Sequence, residues 1–188
     1  MRYTQEQIVN ALQRLNMKVF DKEINMVFVR ENFDFDNLFN DRLYLWNSCI
    51  PFTEFIVTTK AGRVWWENFT NPRGVAGLVE NQYINSHALG LHRGAYEALV
   101  QVEPVVVYRD ANKDAKLDTA KTESGLFGIN YHTMSVSRVI VARQVDNGSA
   151  GCMVNPDTKA YFESMALIKA AKQSRYTLTL LNKKLIIG

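Results

Sequence analysis

Two residues carry side chains suited to covalent catalysis: His132, within Gly128-Ile-Asn-Tyr-His-Thr-Met, and Cys152, within Ser149-Ala-Gly-Cys-Met-Val. A thiol attacks a carbonyl as its thiolate, so a nucleophilic cysteine needs a base within reach and a partly open, electropositive setting. His132 follows Phe127, Ile129 and Tyr131, an alternating run that reads as a strand delivering the imidazole to a site. Gly151 permits an unusual backbone angle and close approach of a substrate, and the N–H groups around Gly151 and Cys152 are candidates to hold an oxyanion. The same pattern also fits an inert core thiol with an unrelated histidine, so residue types alone leave both readings open.

The elements that must position this pair read as mostly β. Strands are expected over 24–30, 43–47, 55–59, 95–101, 105–109, 127–131 and 139–143, all rich in β-branched and aromatic residues. Thr4 and Gln7 have capping-box spacing ahead of Ile8, Leu12 and Leu15, which predicts an N-terminal helix to about Asn16. A second helix should open at Pro156-Asp157 and turn Tyr161, Met165, Leu167, Ile168 and Ala171 inward. Following Cys152, it would bring its positive end near the sulfur. Tyr176–Leu181 and Lys184–Ile187 flank Asn182-Lys183 and read as a terminal hairpin.

Beyond the pair, the chain resembles the L,D-transpeptidase catalytic domain, whose signature is a His with a small residue after it, then Ser-His-Gly-Cys and an aliphatic residue. His132-Thr133 and Ser149-Ala150-Gly151-Cys152-Met153 match that pattern. Ala150 stands where the family commonly has a second histidine, and Asn155 where an arginine or asparagine lies near the substrate. A phage and prophage branch related to murein peptidases is similar over more of the chain, roughly residues 24 to 181. Phe39-Asn40-Asp41, Leu43-Tyr44, Val57-Thr58-Thr59-Lys60-Ala61-Gly62, Gln82-Tyr83, Leu89-Gly90-Leu91-His92-Arg93-Gly94, Tyr96 through Gln101 and Val107-Tyr108-Arg109-Asp110 follow its order. Lys60-Ala61 replaces that branch's Asp-Pro, and Ser-Ala-Gly-Cys is usual in it.

The resemblance implies an L,D-transpeptidase-like β-sandwich or barrel of α+β class: an N-terminal helical segment over 1–22, then one catalytic unit over 23–188. It implies a cysteine peptidase, an endolysin-like L,D-carboxypeptidase or endopeptidase, acting on peptidoglycan stem peptides through a thioester, with Cys152 as nucleophile, His132 as base and the Thr133 main-chain oxygen orienting the imidazole. Transpeptidation is the alternative outcome, and a non-catalytic cell-wall or calcium-binding module the alternative class. Ser149, Asn130, Arg93, His92 and Arg143 are the substrate-binding candidates. Arg93 is suited to a stem carboxylate because its planar fork pairs with one.

At 188 residues with 47% hydrophobic content, the chain can bury one substantial core. A net charge of +3 with scattered Lys and Arg gives no nucleic-acid footprint. Two cysteines make no disulfide framework, and Cys49 reads as a small buried or turn residue. No apolar stretch long enough for a signal peptide or a membrane span is visible, so the expectation is a monomer made in the cytoplasm and delivered to the periplasmic cell wall by other means. No cofactor is expected, and three scattered histidines argue against zinc. His87 reads as a polar loop residue, and one of Trp65 and Trp66 as packing. Asp110, Asn112, Asp114 and Asp118 have the spacing of a calcium loop's start, but Ala115 and Lys121 stand where such a loop needs Gly and Glu, so an Asx-rich turn is the other reading.

Overall fold

A computed structural model of the protein describes residues 3–68 and 70–187. The run Asn25-Met-Val-Phe-Val-Arg30 is apolar at consecutive positions because both of its faces are covered, as its burial at every residue shows. Met26 and Phe28 face the larger core, whereas Val27 and Val29 join the smaller one under the N-terminal helix. Strict alternation is a signature of half-buried strands only, so this strand lacks it.

In chain order the elements are α1 (Gln5–Arg14), β1 (Asn25–Arg30), β2 (Asp41–Trp46), β3 (Thr53–Val57), α2 (Arg63–Glu67), β4 (Ala76–Leu78), β5 (Asn81–His92), β6 (Tyr96–Gln101), β7 (Val105–Arg109), β8 (Asp118–Gly125), β9 (Tyr131–Thr133), β10 (Met153–Asn155), α3 (Thr158–Ala170), β11 (Tyr176–Asn182) and α4 (Lys184–Ile187). Strands hold 38% of the residues against 17% in helices, which makes the protein mainly β. The large sheet runs β10-β9-β6-β5-β11-β1-β2-β3, and β4-β7-β8 form a small second sheet. The large sheet is nearly closed: Thr58, just past β3, exchanges both backbone hydrogen bonds with Val154 of β10, each at 2.9 Å.

Inside lies a core of Phe28, Leu43, Leu45, Leu99, Tyr131, Leu178 and Leu180, against which α3 places Tyr161, Met165 and Ile168. Asp157 caps α3, accepting from the N–H groups of Lys159 and Ala160. The capping box of α1 forms as its spacing predicts, with Thr4 and Gln7 exchanging bonds. Ile8, Ala11 and Leu12 are fully buried on the outer face of β1 and β2. Ile8 and Leu12 each contribute about 1.5–3 kcal/mol by leaving water. No helix among the described residues is long and apolar enough to cross a membrane.

Several expectations are corrected. Residues 176–187 form no hairpin: β11 runs parallel to β1, antiparallel to β5 and between them, and the chain then coils into α4, where Ile186 is buried. Residues 139–143 make only a single bridge, Val141 with Asp157, because Val139 and Val141 lie exposed with no strand to pair with. The strand expected at 127–131 begins instead at Tyr131 and runs to Thr133, since Gly128 has positive φ and the segment before it is held by a side chain, described below. β5 and β8 were not expected as strands.

Candidate active site

β9 and β10 are parallel neighbours, with Val154 level with His132. Cys152 and Asn130 stand two positions before this level pair, and both line one cavity with His92, whose ring stacks on His132. Cys152 is half-buried, and its Sγ donates to the Gly128 carbonyl oxygen at 3.3 Å. No hydrogen bond joins that sulfur to His132 among the described residues.

His132 is fixed more firmly. Its Nδ1 lies 2.9 Å from the Thr133 carbonyl oxygen, an acceptor without a proton, so Nδ1 carries the hydrogen and Nε2 is the free base. Tyr96 donates its hydroxyl to the same oxygen at 3.0 Å. His92 stacks on the other ring, centroids 4.0 Å apart and planes 21° from parallel. The tautomer of His92 follows from its neighbours. The Gln101 backbone N–H donates to Asn130 Oδ1, so Asn130 Nδ2 donates to His92 Nδ1 at 3.1 Å and the His92 proton sits on Nε2. His92, from β5, thus supplies a second imidazole while Ala150 lacks one.

Burial dominates the electrostatics. It pushes His132 down to about 4, with His92 and Arg93 acting the same way and the Thr133 bond opposing them. Burial also pushes the Cys152 thiol up, against the Asn130 backbone N–H and the Arg93 charge, both of which favour the thiolate. The pair therefore rests as neutral thiol and neutral imidazole. The α3 N-terminus does not alter this: β10 separates it from Cys152 by about 10 Å, and the Asp157 carboxylate occupies it.

Two adjoining cavities meet here. The larger, about 420 Å³, is lined by Cys152, Gly128, Asn130, Arg109, Trp65 and neighbours. The smaller, about 260 Å³, is lined by His132, Tyr96, Thr133, Met134 and Asn147 among others. His92 and Arg93 line both.

Other expected site residues separate into those that build the site and those that lie outside it. Gly151 has φ +127, and a Cβ there would collide with the Ala76 carbonyl oxygen of β4, so glycine is required. Its N–H donates to Ser149 Oγ at 3.1 Å and is therefore not free for an oxyanion. Ser149 is buried, donates to the Cys152 carbonyl oxygen at 2.9 Å and lines neither cavity, so it shapes the loop. Asn155 is buried among Tyr131 and the Asp157 N–H, away from both cavities. Arg143 is exposed and lines neither. His87 is wholly buried on β5, held by Ile129 O and Ser86 Oγ, each at 2.8 Å. Cys49 is exposed in a turn. Trp66 stacks on Phe35, whereas Trp65 lines the larger cavity.

The acidic turn has spent its oxygens on itself. Asp110 accepts from the N–H groups of Asp114 and Ala115, Asn112 from Asp114, and Asp118 from Ala111. That is an Asx-turn architecture, and no cluster of three or more His, Cys, Asp or Glu suited to a metal occurs among the described residues.

Besides Tyr96, sequence reasoning missed two residues that hold the site. Gln101 Oε1 accepts from Phe127 and Ile129 N–H, both at 3.0 Å, and its Nε2 donates to Gly125 O at 2.8 Å, which fixes the segment carrying Gly128 and Asn130. Asn37 grips the β9–β10 loop, accepting from the Asp146 N–H at 2.8 Å and donating to its carboxylate at 2.9 Å. Neither has a local signal, because both partners are distant in sequence. No family model matches the chain, and no curated protein matches it in sequence.

Proposed function

We propose that the protein is a cysteine peptidase of L,D-transpeptidase-like fold that cleaves peptidoglycan stem peptides through a thioester. The supporting observation is the His132 arrangement: Nδ1 tied to Thr133 O, Nε2 unprotonated, and Cys152 lining a cavity with His92, whose ring stacks on His132. Such an imidazole can accept a proton only at Nε2, the position a general base needs.

The thiol leaves Gly128 O and turns to His132, whose Nε2 takes the S–H proton as sulfur bonds to the scissile carbonyl carbon. The nearby Asn130 backbone N–H, which already favours negative charge at the sulfur, is placed to share the oxyanion's charge. The C–N bond then breaks, the leaving amine takes the proton from Nε2, and a thioester remains. Water attacks it, giving its proton to Nε2; the C–S bond breaks, and the thiol is restored. Ala150 and the likeness to phage peptidases favour water over a second stem's amine as the acceptor.

Digestion of purified sacculi, followed by mass analysis of the muropeptides, tests this reading. Shortened stems with wild type and none with Cys152→Ala are expected; joined stems would make it a transpeptidase, and no change with either would refute catalysis on this substrate.

A further inference from the structure

His92 takes no part in the steps above, although it lies at the centre of the site. Only 8% of it is exposed, yet it lines both cavities. Its ring is held on three sides: His132 stacks on it, Tyr96 packs against it with centroids 5.6 Å apart, and Asn130 Nδ2 donates to its Nδ1 at 3.1 Å. Because Asn130 Oδ1 already accepts from the Gln101 N–H, Asn130 has only amide hydrogens left to offer, so His92 Nδ1 accepts and the proton stays on Nε2. That Nε2–H makes no hydrogen bond among the described residues. It is not one of their fully enclosed unpaired polar atoms either, so it opens to cavity space.

The two stacked rings therefore present opposite chemistry at Nε2: His132 a bare nitrogen that accepts, His92 an N–H that donates. Burial, and then the Arg93 charge, push His92 below its ordinary value, so the ring is neutral at neutral pH and keeps this single proton. A neutral imidazole N–H is a competent electrophile toward a carbonyl oxygen. Acyl transfer calls for one. As sulfur bonds to the carbonyl carbon, a π electron pair moves onto oxygen, and donors fixed in advance stabilise the charge that appears there. Two backbone donors flanking Cys152 are committed elsewhere, Gly151 N–H to Ser149 Oγ and Met153 N–H to Asn130 O at 2.9 Å.

We infer that His92 is a further catalytic residue: its Nε2–H donates to the oxygen of the attacked carbonyl, beside the Asn130 N–H, and holds the charge there while His132 holds the thiol proton. The role rests on the peptidase reading above. No proton leaves His92. When the C–N bond breaks, the electron pair returns from oxygen to re-form the C=O bond, and the hydrogen bond weakens; the same donor then serves the intermediate that water forms on the thioester. Asn130 couples both donors, since its backbone supplies one and its side chain fixes the tautomer of the other.

The experiment compares three reactions at Cys152, two of them read by mass at the peptide that carries it because exposed Cys49 also reacts. Alkylation by iodoacetamide forms no oxyanion; acylation by p-nitrophenyl acetate and cleavage of a stem tetrapeptide both do. His92→Phe keeps an aromatic ring beside His132 and removes the N–H. It should slow acylation, and lower kcat on the peptide, by about 10²- to 10³-fold with KM little changed, and leave alkylation at the wild-type rate. His92→Gln restores an N–H without the ring and should recover about tenfold or more of that loss. His132→Gln, the control for the base, should slow all three reactions. Long-range proton–nitrogen NMR of the wild-type protein should find the His92 proton on Nε2, whatever the variants do to the fold. A proton on Nδ1, equal slowing of all three reactions in His92→Phe, or wild-type acyl transfer in that variant would overturn the assignment while leaving the peptidase intact. Selective loss of ester acylation in His92→Phe, with no peptide cleavage by wild type, would keep the donor and refute the stem peptide as substrate.

Discussion

At the scale of single residues, the resting site holds no ion pair. A thiol raised by burial beside an imidazole lowered to about 4 means the proton moves only as the sulfur attacks. The base is active unprotonated, so kcat/KM should hold from neutral pH into mild acid and fall only as His132 protonates near pH 4. Removing the stacked ring should raise that limit: in His92→Gln, the acid limb of the kcat/KM profile is expected to move to higher pH. An unmoved limb would show that the stack does not tune the base. His132→Gln should cost about 10²- to 10⁴-fold in kcat/KM, measured on a defined stem peptide, while thermal unfolding shows the fold retained.

Single elements bring these groups together, and here long-range polar clamps matter more than strand regularity. Gln101→Leu removes three hydrogen bonds to residues 125–129 and leaves two N–H groups without their acceptor. It should lower stability by about 1–3 kcal/mol and kcat by more than that predicts, because the Gly128 and Asn130 backbone drifts from the sulfur. Urea unfolding and turnover of the same variant measure the two effects separately. The candidate pair was legible as residue types because a histidine and a cysteine in recognisable contexts announce themselves locally, and α1 and α3 because their caps do. β8 was not, since Asp-Thr-Ala-Lys-Thr-Glu-Ser-Gly is polar or small throughout and largely exposed, with no apolar face to mark it. The terminal hairpin failed for the opposite reason. Asn182-Lys183 gave a turn signal, while the complete burial of Tyr176–Asn182 reflects insertion between β5 and β1, a pairing no local window reveals. His87 was misplaced because its partner, Ile129 O, is 42 residues away.

For the whole molecule, two buried histidines set a limit on acid tolerance. His87 and His132 both lie at about 4 in the folded protein, against an ordinary value of 6.5. Below pH 6.5 the unfolded chain takes up protons that the native state refuses, so stability present above that value is lost as pH falls towards 4. The loss is roughly 3 kcal/mol per histidine by pH 4. Tm should therefore drop steeply between pH 6.5 and 4.5, and His87→Gln should drop less steeply than wild type; a flat profile over that range would contradict burial of these rings as neutral species.

The Thr58–Val154 bridge gives the nearly closed sheet a seam one residue pair wide, and Cys152 stands two positions from it. The β9–β10 pair is fastened by one such bridge on each side, the other being Leu99 with Tyr131, so transient opening would loosen those two strands while the other strands stay knitted. Amide exchange at Thr58 and Val154 would then report, in one measurement, how often the candidate site is taken apart and rebuilt.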